Sequence, residues 1–133
     1  MPETSTPQLY ACLRYHDADA ALAFLGALGF TERLVVRDDA DVAVVHHAQL
    51  QWRETGGVMF GSVGVGAHWI QPGSGVVNLV VASDADVDAT LARGLAAGGR
   101  LLAEPTQAPH GGRNAALTDA EGNCWNIDSY PGV

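Results

Sequence analysis

Several side chains in this sequence stand at spacings that chemistry can use. His46 and His47 are adjacent in a β-rich run. An imidazole titrates near neutral pH and serves as base or metal ligand, but neighbours on a strand point to opposite faces, so this pair cannot share one metal or one acid–base couple. The face holding Val44, His46, Ala48, Leu50 and Trp52 is the more apolar. It should look inward, which makes His46 and Trp52 cleft candidates and leaves His47, Gln49 and Gln51 in solvent. A histidine among apolar neighbours is, as a rule, a hydrogen-bonded structural residue, and that reading stands beside the catalytic one.

Near the carboxyl end Asn126 and Asp128 alternate with Trp125 and Ile127. Two polar side chains facing a mostly apolar cleft need ligand or water as partners. Near the start, Tyr10, Cys12 and Arg14 share one face of a strand, opposite Leu9, Ala11 and Leu13. Tyr10 is either a stacking platform with a hydroxyl handle or part of the core. Arg14 either binds an anionic ligand group or pairs with Asp128, and the pairing is the expectation. Phe60 and Val76 should line a cleft floor, a geometry shared with plain packing between sheets, and Asn78 lies on the face of Val76. Trp69 sits in a glycine-rich connection, where a large ring must pack on a ligand or on a partner chain.

The elements that position these residues repeat. An apolar run followed by Asp17-Ala18-Asp19 recurs half a chain later as an apolar run followed by Asp84-Ala85-Asp86. Self-similarity at that period indicates one supersecondary unit used twice. Leu9 to Tyr15 is a strand, Asp17 caps a helix with Ala21, Phe24, Leu25 and Leu28 on its buried stripe, and Gly29 stops it. Strands follow over Thr31 to Val36, Val42 to Trp52 and Val58 to Ser62. Residues 63–75 form a flexible connection with four glycines. The second copy runs from a strand at Val76 to Ala82 through a helix capped by Ser83, with Val87, Leu91 and Leu95 buried. Its remaining strands are Arg100 to Glu104, broken by Pro105, then Arg113 to Thr118 and Asn123 to Tyr130. The expected fold class is α+β: one domain over 1–133, built from βαβββ modules at about 8–62 and about 76–131, whose sheets curve around a cleft as a pseudo-barrel.

At 133 residues, 47% hydrophobic and 17% charged, the chain fits one compact globule. A net charge of −8 with seven scattered arginines argues against nucleic acid. No apolar stretch spans a membrane and the first seven residues lack a secretion signal, so a cytoplasmic location is the default. Cys12 and Cys124 read as small buried hydrophobes rather than a disulfide or a zinc site. No nucleophile elbow, phosphate loop or dinucleotide fingerprint is present.

The segments Leu13-Arg-Tyr-His-Asp17 through Leu25, Leu28-Gly-Phe30, His47-Ala-Gln-Leu50, His110-Gly-Gly-Arg113 and Asp119-Ala-Glu-Gly-Asn-Cys-Trp125 carry a likeness. The chain resembles the vicinal-oxygen-chelate superfamily of glyoxalase and bleomycin-resistance-like proteins, with Ala120 where proline is usual and His110 where tyrosine is common. In its metal-dependent members the ligands come from the first and last strands of each module. Those positions correspond here to Tyr10, Phe60, Val76 and Asn126, which include no histidine or carboxylate, so no metal and no cofactor is expected. The resemblance places His110 and Arg113 at the cleft mouth, Arg113 binding either a ligand carboxylate or a loop carbonyl. It implies the metal-free branch: a homodimer sharing ligand sites between chains and holding a small aromatic or polycyclic molecule, an antibiotic among the candidates. The competing expectation is a lyase, isomerase or dioxygenase-like enzyme, metal-dependent or using His46 or Asp128 as base.

Overall fold

The carboxylate of Asp17 accepts a hydrogen bond from the Ala20 N–H at 3.0 Å and starts the first helix; Gly29, at φ 126°, ends it in a conformation that side chains resist. Ser83 caps the second helix in the same way, its hydroxyl accepting from the Asp86 N–H at 3.2 Å. The computed structural model describes residues 6–133; the first five, part of the stretch inspected above for a leader, lie outside the described residues.

The order is β1 (Leu9–Tyr15), α1 (Ala18–Leu28), β2 (Thr31–Arg37), β3 (Val45–Trp52), β4 (Gly56–Ser62), β5 (Val76–Val80), α2 (Asp84–Ala96), β6 (Arg100–Gln107), β7 (Arg113–Thr118) and β8 (Cys124–Asp128). The βαβββ pattern thus occurs twice. Each copy makes a four-stranded mixed sheet, ordered β1-β4-β3-β2 and β5-β8-β7-β6, with the β1–β4 and β5–β8 pairs parallel and the others antiparallel.

Two strand expectations shift for local reasons. Residues before Val45 fold into a loop instead of extending the strand, because the Asp38 carboxylate accepts from the N–H groups of Ala40 and Asp41 and the Asp38 N–H bonds the Val44 carbonyl. β6 runs through Pro105, which falls where the β6–β7 register slips between Ala103 and Thr106 on an edge strand, so no ladder donor is lost.

One face of each sheet builds the core. Leu13, Ala48, Leu50, Val58 and Phe60 from the first sheet and Leu79, Ala115, Leu117, Trp125 and Ile127 from the second are all buried, together with Phe24, Leu25 and Leu28 of α1 and Val87 and Leu91 of α2. The rings of Phe24 and Phe30 lie 6.5 and 5.8 Å from Trp125, so the first module packs on a strand of the second. Arg93 of α2 donates to the carbonyls of Ala27 and Leu28, satisfying the open end of α1.

The Asp119–Trp125 segment has a structural explanation. Asp119 is 3% exposed and accepts five hydrogen bonds: at Oδ2 from the Tyr15 hydroxyl, Asn123 Nδ2 and the Trp125 indole, and at Oδ1 from the N–H groups of Glu121 and Asn123. Burial and the neighbouring carboxylate push the Tyr15 phenol far above its ordinary 10.0, so it stays a donor. Glu121 reaches back to the N–H groups of His16 and Asp17 at 2.7 and 2.8 Å. The motif staples the two modules together. Among the described residues no helix is long and apolar enough to cross a membrane.

Candidate functional site

The face of each sheet away from the core is free of helix, and each carries its own hollow. On the first sheet, register puts Tyr10, Cys12 and Arg14 of β1, Met59 of β4 and His47 and Gln49 of β3 on this face. A cavity of about 360 Å³ opens there, bordered by Cys12, Arg14, His46, His47 and Met59 and rimmed by Ala67, Trp69 and Ile70 from the connection. On the second sheet a hollow of about 290 Å³ is bordered by Asn78, Asn114, Asn126 and Asp128 with Ala103 and Ala116. Alternation along β5 and β8 places Asn78, Asn126 and Asp128 together there, on the face the sequence indicated.

The first sheet corrects several expectations. The apolar face of β3 does look inward, but into the core: Ala48 and Leu50 are fully buried, and it is Gln49 and His47 that share the hollow's face. Trp52 therefore leaves the hollow. Its indole donates to the Val80 carbonyl at 2.9 Å, its ring lies 5.1 Å from Phe30, and it borders a separate crevice of about 190 Å³ with Leu9, Ala11, Val77 and Leu79. Phe60 borders the hollow, yet its ring is 3% exposed and packs edge-on to Tyr15 at 5.0 Å; its neighbour Met59 takes the place on the floor.

The two histidines also behave differently from a regular strand. Val36 pairs with His47 and Arg37 with Val45, so His46 is the extra residue of a β-bulge. An extra residue breaks the alternation. Both imidazoles consequently border the same hollow. His46 Nε2 lies 2.8 Å from Asp38 Oδ1, and this bond, with help from two backbone N–H groups, holds the Asp38 carboxyl below its ordinary 3.8.

Tyr10 is half-buried and its hydroxyl accepts from Gln49 Nε2 at 3.0 Å. Trp69 stands at the rim with 84% of its surface exposed. Asn126 takes a weak S–H contact from Cys124, and Asp128 accepts from the Tyr130 N–H at 2.7 Å. His110 and Arg113 border neither hollow. His110 stacks edge-on against Tyr130 at 5.0 Å. Arg113 grips Asp88 of α2 at 2.8 and 3.1 Å, which raises its own pKa and lowers that of Asp88.

Arg14 is the residue that sequence reasoning undervalued. It does not meet Asp128, which lies on the other sheet, and its Nε is buried without a partner. The free faces present a phenol, a thiol, a thioether, a guanidinium and an imidazole at Tyr10, Cys12, Met59, Arg14 and His47, and two carboxamides with a carboxylate at Asn78, Asn126 and Asp128. Among the described residues no group of three or more His, Cys, Asp or Glu side chains is placed to hold a metal ion.

No curated protein is significantly similar to the chain in sequence. Among solved structures, TioX from Micromonospora sp. ML1 superimposes with a TM-score of 0.72 at 28% identity, over 92% of this chain and 98% of that one. A glyoxalase-related enzyme from Fulvimarina pelagi gives 0.67 at 24% identity, over 92% and 88%. A glyoxalase/bleomycin resistance protein/dioxygenase family enzyme from Burkholderia phytofirmans PsJN gives 0.68 at 20% identity, over 92% and 98%. The family model of the Glyoxalase/Bleomycin resistance protein/Dioxygenase superfamily matches residues 8–127, from the first strand to the last. With both modules inside that match, the chain belongs to the glyoxalase/bleomycin resistance protein/dioxygenase superfamily.

Proposed function

We propose that this protein binds a small aromatic or polycyclic molecule, an antibiotic being one candidate, in the hollow of the first sheet, without a metal and without changing its ligand. The observation that carries this reading is Trp69, a large ring left 84% exposed at the rim of a hollow of about 360 Å³. That volume lies within the range of roughly 300 to 1,000 Å³ common to small-molecule sites. Stacking one face of the indole on a flat ligand removes about 100 Å² from water on each partner, which at about 25 cal/mol per Å² is about 5 kcal/mol before ordering costs. Met59 and Ile70 add apolar wall. Sequestration needs only binding.

A homodimer completes the reading. Leu34 and Val36 of β2 are exposed beside Gln49 and His47, and Val76 is exposed on β5. A second copy laid across the first sheet covers Leu34 and Val36. A second reading, an enzyme that moves protons without a metal, rests on His46, which Asp38 orients at the same hollow.

The test is a tryptophan-fluorescence and thermal-shift screen against flat polycyclic natural products, with light scattering for mass and mass spectrometry of the recovered ligand. Saturable quenching, a raised melting temperature, a dimer mass and unaltered ligand support the proposal. A chemically converted ligand favours the enzyme. Absence of any quenching refutes both.

A further inference from the structure

We infer that the ligand of the first hollow is an anion, an aromatic acid whose carboxylate or ionised hydroxyl is held by Arg14; this rests on the binding reading above. The chain has acids to spare, 15 against seven arginines. Of its other arginines, Arg33 and Arg100 are exposed to solvent, Arg37 meets Asp19, Arg53 meets Glu54 and the Val80 carbonyl, Arg113 meets Asp88, and Arg93 caps α1. Arg14 is treated differently. Among the described residues no carboxylate forms an ion pair with it, and its Nε is shut from water with no acceptor.

With no carboxylate from the protein beside it, the Arg14 guanidinium favours a ligand that brings its own acceptor. The surroundings are built to keep the group where it is. Arg14 borders both the main hollow and an adjoining pocket of about 120 Å³, two spaces that a ligand and its polar substituent can fill. Across the parallel β1–β4 ladder Arg14 pairs with Gly61, and any side chain at Gly61 would overlap the guanidinium. Glycine there makes room for the head group against the sheet.

A planar fork of donors suits a planar carboxylate, which it grips through two parallel bonds. The net charge of −8 works against long-range attraction of anions, so recognition has to come from such a local, directed contact. Combined with the exposed indole of Trp69, the geometry selects a flat ring bearing an acid.

Calorimetry and fluorescence titration with 2-naphthoate and with 2-naphthamide, an uncharged analogue of similar shape, test this on the wild-type protein and on Arg14→Gln and Arg14→Lys. The inference predicts at least tenfold tighter binding of the acid by wild type, loss of that preference in Arg14→Gln, and partial return in Arg14→Lys. It also predicts that Arg14→Gln melts no lower than wild type, since no native bond is lost. Equal binding of acid and amide by wild type, which needs no variant, overturns the inference and leaves the binding reading standing. Failure of both probes to bind at millimolar concentration overturns both. If Arg14→Gln dissociates a dimer while the preference for acid persists, the guanidinium pairs with an acid of the second copy and the inference falls.

Discussion

Replacing Asp119 by alanine should cost more stability than any other single carboxylate change in this chain. The substitution strips acceptors from the Tyr15 hydroxyl, Asn123 Nδ2 and the Trp125 indole and from two backbone N–H groups. Tyr15, Asn123 and Trp125 are 1%, 1% and 0% exposed, so these donors cannot turn to solvent. Each orphaned donor costs about 1 to 3 kcal/mol, and a water molecule entering the vacated space recovers part of the sum, which leaves about 4 kcal/mol. That is a large fraction of the roughly 5 to 15 kcal/mol that holds a domain together, and at about 3 to 5 °C per kcal/mol it lowers the melting temperature by about 12 to 20 °C. Urea denaturation followed by circular dichroism, with calorimetry for the melting temperature, measures it. A loss below about 1 kcal/mol would refute the view that this motif is the staple between modules.

Arg113→Ala should leave ligand affinity unchanged and cost little stability, read as a small shift of the urea midpoint, because its partner Asp88 is half exposed and the pair is screened. In the same variant the Asp88 carboxyl, held below 3.8 by Arg113, should titrate upward, which carbon-detected NMR reads directly. Both Asp88 and Asp38 have lowered folded-state pKa values, so their stabilisation is complete above 3.8 and is lost as pH falls through the lowered values. Urea midpoints should accordingly drop below pH 3.8, and drop less in Arg113→Ala.

Most of the fold was legible because it is written in local signals. Asp17 and Ser83 cap their helices through side-chain oxygens, Gly29 ends the first by a positive φ that its missing side chain permits, and the doubled Asp-Ala-Asp marks the module repeat. The site was legible in part. On β5 and β8, which pair without a register shift, alternation alone brought Asn78, Asn126 and Asp128 to one hollow. On the first sheet, an apolar face meant core rather than cleft, which moved Trp52 and the ring of Phe60 away and brought in Met59 and His47. The bulge at His46 depends on how β2 pairs with β3, and the partnering of Arg113 and isolation of Arg14 depend on distances between elements. One chain read in order carries none of these.

Binding as proposed puts the ligand in the hollow of the first sheet. Mapping amide and side-chain NMR shifts while titrating a flat aromatic acid tests it most directly. Perturbations centred on Cys12, Arg14, His47, Met59 and Trp69 are the expected result. Perturbations confined to the crevice around Phe30, Trp52 and Val77, or to no contiguous surface, would contradict it.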